Sequence, residues 1–445
     1  MVSFENLYNL EKSHWRRPMD EKKKKGSNIE TTTLEKVPME ERKNWIDVAL
    51  IQAGIMICVP SLLLGGILAE SMSLTNAILS GVVGYLIVIV LFCLMGIMGS
   101  DLGVPTCVTA IGGFGKKGAR FIISTLIFIS MIGWFAVQTS VCGDAFSNLI
   151  DQFFHISVSP VISMVIWGLI MLVTAVYGIN ALDKLNKVAV PALFIVTIVG
   201  CIMALNKYGT QQLSVNPAVP SMSFIDGIVL TVSFMAAGCL AASDITRYQR
   251  TRKDTIISSS LGVAPAGVLM VVLGAIMTRV AQQYDITLVF CEIGIPILGM
   301  LVLISATWTT NTTNAYSGGI NAVLMFNLAE NKRAVATMVA GLIGTVCAVF
   351  GLADHFEDFL YILGDALLPT MGVILADYWI IGRGKPENYR MPDGFNWIGI
   401  ISWLCGYAVI KLIPYGVPFA QGIIIAAALY VILAKMIKRP QDKLN

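Results

Sequence analysis

Charge is what this sequence has least of. Asp, Glu, Lys and Arg make up only 13% of its 445 residues, against about 25% in a soluble domain. With 56% hydrophobic residues and a mean hydropathy of +0.74, a soluble fold is excluded. Histidine is scarcer still: of His14, His155 and His355, the last two fall in short loops expected outside the membrane, where they read as solvated surface rings. The nine cysteines are scattered, mostly in apolar stretches, without CxxC or Cys/His spacing, so neither a metal centre nor a disulfide framework is indicated. HExxH, paired carboxylates and Ser/His arrangements are missing at membrane depth, which argues against an intramembrane enzyme. Most apolar segments also lack a central charge, which disfavours a pump built on a carboxylate relay. The net charge of +3 is small and spread among loops, giving nucleic acid no footprint. No organic cofactor and no obligate protein partner is indicated; the one partner that composition demands is the lipid bilayer.

What is present is a series of apolar runs near the ~20 residues that a membrane-crossing helix needs, without the period-two alternation of barrel strands. Twelve are expected as helices 1 to 12, over 47–69, 74–98, 119–142, 158–178, 187–205, 224–243, 257–280, 296–318, 334–352, 359–381, 396–413 and 417–437. Fourteen Lys and Arg residues fall in the loops of one side, among them Lys116, Lys117, Arg120, Lys184, Arg252 and Arg383, and only Lys207, Arg279 and Lys411 on the other. This bias places both termini in the cytoplasm of a multi-pass protein of the plasma membrane. Residues 1–45 lack an apolar h-region and read as a polar cytoplasmic tail, whose Lys22 to Lys25 run would also suit lipid headgroups; 438–445 form a second tail.

Helix-breaking residues gather in helices 1 and 6. Helix 1 holds Gly54, Pro60, Gly65 and Gly66, and the missing N–H of Pro60 deprives the Met56 carbonyl of its helical donor. Helix 6 sets Gly238 between two Ala pairs. Two weakened first helices point to a transporter with an inverted repeat: a ten-helix core over 46–381, with halves 46–205 and 224–381, followed by helices 11 and 12 over 394–437.

Helix 8 is polar where lipid offers no partners, in the stretch SATWTTNTTNAYSGG from Ser305 to Gly319. Threonine can bond back to its own helix. The amides of Asn311 and Asn314 cannot hide that way, so with Thr309 and Thr310 they call for a partner helix, water, a cation or a substrate. Neutral oxygens in small number favour Na⁺ over Mg²⁺ or Ca²⁺. On helix 3, Trp134 and Gln138 are four apart and share a face, offering a stacking plane and a two-sided hydrogen-bonding edge to a flat heteroaromatic ring. Ser233 and Phe234 of helix 6 could supply a second plane. Asp244 and Arg247 at the inner end of helix 6 read as a gate or as helix-end partners, and Asp365 and Asp377 stand out in helix 10.

At these residues the chain resembles the nucleobase:cation symporter-1 family, and cytosine permeases in particular, from about Trp45 to the end of helix 12. The landmarks are GWFAVQ in helix 3, SDITRY closing helix 6, ATWTTN in helix 8, FGKKG after helix 2 and LPTMGVILADYW in helix 10. The resemblance implies symport of one nucleobase, cytosine or a related purine or pyrimidine, with one Na⁺. It implies sodium ligation by the carbonyls of Gly54 and Ile57 and by Ala306, Thr309 and Thr310. It also implies a ring sandwich with Trp134 on one face and the helix 6 aromatic on the other. Cytosine permeases carry a glutamine three residues before the Trp, where this chain has Met131, and Gln138 sits four after it as in hydantoin-type members. Helix 6 has one extra residue, so Phe234 or Met235 fits the aromatic position. The alternatives are H⁺-coupled transport of hydantoin, allantoin or a thiamine-precursor pyrimidine, and an amino-acid carrier of the same fold.

Overall fold

Pro60 decides the shape of helix 1. In the computed structural model, which describes residues 36–437 except 178, 218, 284–285 and 414 (and not the side chains of 177–186 or 330), helix 1 forms as two helices. These are Trp45–Met56 and Val59–Ser71, bent by 55°. Pro60 occupies the first turn of the second half, where its missing N–H costs nothing, and between the halves Cys58 is extended at φ −141°, ψ 159°. The expectations for His14, the Lys22 to Lys25 run, the side chain of Lys184 and the tail 438–445 lie outside the described residues.

Every secondary-structure element among the described residues is a helix, and the single β pairing is an isolated bridge between Lys43 and Gln249. Each of the twelve expected segments holds a helix or an interrupted run of helices. Helix 2 is Leu74–Leu102, helix 3 Ser124–Phe154 entered through a π-helical turn at Ala119–Ile123, helix 4 Pro160–Tyr177 and helix 5 Ile179–Tyr208. Helix 6 is the run Phe224–Phe234, Ala236–Leu240 and Ala242–Thr246. Helix 7 joins Arg252–Gly262 to Ala264–Ala281; helix 8 is Pro296–Phe326 and helix 9 Arg333–Val349. Helix 10 is Phe356–Leu375 with a π-helical end at Ala376–Ile381, followed by helix 11, Trp397–Leu412, and helix 12, Pro418–Met436. Helices 2, 3, 5, 7, 10 and 12 are each long and apolar enough to cross a membrane, and the two halves of helix 1 do so together.

Two differences from the sequence expectation have physical reasons. Helices 3 and 8 each run to 31 residues, about 46 Å at 1.5 Å per residue. They run past the expected ends until a residue in the left-handed region stops each of them, His155 at φ 52° and Asn327 at φ 52°, and the extension of helix 8, GINAVLMF, is itself largely apolar. The tail also differs from the expected solvated segment, because its last ten residues are tied to the bundle. The Val37 N–H donates to the Gly103 carbonyl at 2.9 Å, and the Lys43 N–H to Tyr248 at 2.6 Å. Arg42, only 4% exposed, donates to the carbonyls of Ser100 and Gln249 at 2.5 and 3.0 Å. A guanidinium with several carbonyl acceptors can be buried at tolerable cost, and nothing in a Lys-rich run signals it.

The core falls into three apolar clusters. The largest joins helices 2, 6 and 10 around Tyr85, Phe92, Phe234, Leu363 and Met371. A second joins helices 1, 5, 7 and 8 around Val59, Leu193, Leu273 and Leu303, and a third joins helices 3, 4 and 8 around Phe135, Cys142, Met171 and Ile304. The second half of helix 1 lies against helix 7 at backbone distance: a Cβ at Gly65 would stand 2.1 Å from the Val271 carbonyl oxygen. Beyond it, the buried Arg279 donates to the carbonyls of Ala69 and Met72, a cation on the C-terminal end of the second half-helix, where the macrodipole favours it.

Candidate substrate and cation site

The break in helix 1 frees particular carbonyls. The Cys58 N–H, which would ordinarily close on Gly54, donates to Met56 at 3.0 Å, and the Ser61 N–H, which would close on Ile57, donates to Cys58 at 3.2 Å. Gly54 and Ile57 thereby lose their helical donors. The Met56 carbonyl, expected to be the exposed one, is recovered: the Ser61 hydroxyl also donates to it at 2.9 Å. Proline therefore frees its neighbours' acceptors while its own orphan is satisfied locally.

Helix 8 supplies three more oxygens at one point. The hydroxyls of Thr309 and Thr310 both donate to the Ala306 carbonyl, at 2.9 and 3.0 Å. Ala306 and Ile57 border the same apolar cluster, together with Leu193 and Val196 of helix 5. Among the described residues no group of three or more His, Cys, Asp or Glu could hold a metal ion, so a cation here must rely on neutral oxygens. Carbonyls and hydroxyls of this kind suit a weakly hydrated monovalent ion.

The two asparagines part company. Asn311 is fully buried and turned to helices 3 and 4, its amide donating to the Phe135 carbonyl and the Thr139 hydroxyl, both at 3.0 Å, and lying 3.2 Å from the Met171 sulfur. Its oxygen accepts from Asn314 at 3.3 Å. Asn311 is thus occupied as an interhelical tie, and the half-buried Asn314 is the one nearer to open space, on a track with Thr310, Thr313 and Ser317. Position on a helix could not separate them; the neighbour each one met did.

On helix 3, Trp134 faces Phe234 edge-to-face, with centroids 5.3 Å apart and planes at 87°. Of the two helix 6 candidates, Phe234 meets the indole, while the Met235 methyl lies toward Gly238. As they stand the rings touch, so a stacked substrate needs them to part. One turn along, Gln138 is 2% exposed and its amide oxygen is buried without a partner. Such an orphan costs about 1–3 kcal/mol until something donates to it. Ser233 is also buried, against Gly364 of helix 10.

Residues 36–433 match a family of permeases for cytosine/purines, uracil, thiamine and allantoin. The chain belongs to this family. The cytosine permease of Escherichia coli (strain K12) is 29% identical over 409 residues, 91% of this chain and 94% of that protein. The hydantoin permease of Microbacterium maritypicum is 24% identical, covering 86% of this chain and 84% of its own. In fold the chain is similar to Mhp1 in an inward facing conformation, with a TM-score of 0.82 at 22% identity, over 93% of this chain and 95% of Mhp1. The resemblance carried by GWFAVQ, ATWTTN and the other landmarks is thereby borne out: this is a multi-pass membrane permease, not an enzyme.

Sequence reading missed several neighbours of these candidate residues. Phe356 and Phe359, at the start of helix 10, set their rings edge-on to Trp134 at 5.9 and 5.6 Å. Phe359 reaches the indole only because Gly133 has no side chain, since a Cβ there would stand 2.2 Å from the Phe359 ring. Their three-residue spacing in HFEDF was the available signal. Cys58 and Ser61 at the break, with Sγ and Oγ 3.2 Å apart, had none. At the C-terminal end of helix 6, Asp244 accepts from the Thr106 N–H at 2.8 Å, the helix-end role rather than a free gate. Asp365 pairs with Lys411 at 2.5 Å, and Asp377 accepts from the Tyr430 hydroxyl at 2.5 Å.

Proposed function

We propose that this permease imports a nucleobase, cytosine or a related purine or pyrimidine, together with Na⁺. The reading is supported by two carbonyls deprived of helical donors, at Gly54 and Ile57, and by the oxygen cluster of Ala306, Thr309 and Thr310, with Ile57 and Ala306 bordering one apolar cluster. Trp134 and Phe234 bound the ring, Gln138 offers its unpartnered oxygen to an N–H of the base, and Asn314 with Ser233 completes the polar edge. Asn311 acts at one remove, by holding helix 8 to helix 3. In this reading residues 46–205 and 224–381 are the two halves of the repeat, both termini are cytoplasmic, and the protein lies in the plasma membrane. The relatives' names support a nucleobase-like cargo.

Coupling requires the ion to bind better when substrate is present, and by the same factor in reverse. One charge moving through ~100 mV contributes about 2.3 kcal/mol and a tenfold sodium gradient about 1.4 kcal/mol more. Together they allow roughly several-hundred-fold accumulation. The test is thermal-shift binding across nucleobases, hydantoins and amino acids, in sodium and in choline buffers. One flat heterocycle should stabilise the protein more strongly in sodium, and Thr310→Ala should raise the sodium half-saturation about tenfold, ~1.4 kcal/mol. Equal stabilisation in choline would sink sodium coupling in favour of H⁺, and stabilisation by an amino acid would sink the ring site.

A further inference from the structure

A cavity of about 760 Å³, lined by none of the candidate cation or substrate residues, lies where the π-helical end of helix 10, the loop that follows and the last turn of helix 12 meet. That volume is within the ~300–1,000 Å³ of small-ligand clefts. Its lining includes three cations from three separate places in the chain, Arg383, Arg390 and Lys435, together with Asn388, Tyr389 and Asp377. All three cations are exposed, and none has a hydrogen-bond or ion-pair partner among the described residues. Asp377, which accepts from the Tyr430 hydroxyl, is the one carboxylate in the lining and offsets only one of the three charges. The cavity therefore keeps an excess of positive charge.

The backbone holds this arrangement at some cost. Arg383 sits in the left-handed region at φ 57°, an uncommon conformation for a side chain of its size. The turn that keeps it there is closed by the Gly382 and Gly384 N–H groups, donating to Asp377 at 2.8 Å and Tyr378 at 2.9 Å. The Asn388 amide ties the loop back to the Gly382 carbonyl at 3.0 Å. Strain kept at a polar cleft is a reason to look for a ligand.

We infer that this cavity binds the phosphate of an anionic glycerophospholipid. Phosphate is the group that several converging Lys and Arg side chains recognise. A lipid source is favoured over a free anion by what lies beside the cavity. Ile380 on helix 10 and Ile432 and Met436 on helix 12 are 53%, 54% and 74% exposed, an apolar flank on which acyl chains can lie while the headgroup enters the basic cleft. Lys435 is the penultimate residue of helix 12, at the level where a spanning helix leaves hydrocarbon for headgroups, and basic pockets between helices at that level take anionic headgroups.

The experiment is native mass spectrometry of the full chain in mild detergent, titrated with phosphatidylglycerol or phosphatidylcholine of matched acyl chains. Phosphatidylglycerol should be retained preferentially, and Arg383→Ala, Arg390→Ala and Lys435→Ala should each weaken its binding about fivefold. The exposed lysines elsewhere at the same end give the control: the triple variant Lys117→Ala, Lys253→Ala, Lys332→Ala should keep the preference. Equal loss in the control would reduce the effect to general surface charge and overturn the site. Glycerol-3-phosphate binding as tightly as the lipid would overturn the lipid assignment. Unchanged retention in all three single variants would overturn both.

Discussion

Helices 1 and 6 open the two expected halves of the chain, and they are weakened in different ways. In helix 1 a proline removes a donor and the chain passes through extended backbone at Cys58, so the two halves diverge by 55°. In helix 6 there is no proline. Met235 and Ala241 only tighten, with ψ of 2° and 7°, and their N–H groups stay paired, Met235 to Val232 at 3.2 Å and Ala241 to Ala237 at 2.9 Å. Proline removes a donor and so favours a break without compelling one, since Pro191 and Pro369 lie inside the continuous helices 5 and 10; small residues only permit it. Bare carbonyls thus arise in helix 1, while helix 6 contributes side chains, Ser233 and Phe234, beside its distortion.

The hardest blow to that comparison falls on the seat of helix 1. Gly65→Val pushes a branched side chain at a backbone carbonyl that cannot yield, and should abolish monodisperse protein in size-exclusion chromatography, beyond the ~1–3 kcal/mol of ordinary overpacking. A folded Gly65→Val protein would mean that the second half of helix 1 is not held as described. On the helix 6 side, Trp134→Ala removes the ring that Phe234 faces. Base–aromatic stacking is worth ~1–3 kcal/mol, so the substrate Kd by calorimetry should rise roughly 10–100-fold, with the melting temperature changed much less. An unchanged Kd would remove Trp134 from the site.

Pro60→Ala sharpens the contrast at smaller scale. Restoring an N–H lets helix 1 close part of its gap, so the sodium half-saturation should rise a few-fold, on the order of 1 kcal/mol, with substrate binding in choline buffer unaltered. A variant with wild-type sodium dependence would show that the break does not make the cation site. The smallest effect belongs to Gly238→Ala, in helix 6. Its new Cβ would meet only the flexible Met235 methyl, at 2.9 Å, and alanine favours the helix by about 0.5–1 kcal/mol. Stability measured by thermal unfolding should therefore stay within about 0.5 kcal/mol of the parent, whereas a loss of 2 kcal/mol or more would mean that helix 6 needs glycine as strictly as helix 1 does.

How much was legible in advance depended on whether a residue's partner lay in its own segment. Counting four residues back from Pro60 names the Met56 carbonyl, which Ser61 recovers, so Gly54 and Ile57 came from the resemblance alone, whereas the threonines of helix 8, which bond to Ala306 on the same helix, could be read from spacing. Asn311 could not, because its partners are Phe135, Thr139 and Met171, some 140 to 176 positions away. The same holds for Phe356 and Phe359, which reach Trp134 only where helix 10 passes Gly133, and for Arg42, whose acceptors lie on the ends of helices 2 and 6.

The sequence by itself determined the class and the grain of this protein: low charge and long apolar runs make every segment helical in lipid, a proline breaks the first helix, and the scatter of Lys and Arg separates the two ends. Those are local consequences of hydrophobicity, hydrogen-bond supply and backbone geometry. Only the tertiary structure decided that Phe234 rather than Met235 meets Trp134, that Asn311 is spent between helices, that Gln138 keeps an unpartnered oxygen, and that Arg383, Arg390 and Lys435 gather at one cleft. Each of these depends on which helix passes which, and at what distance, and the close packing of side chains between helices settles that for all of them at once.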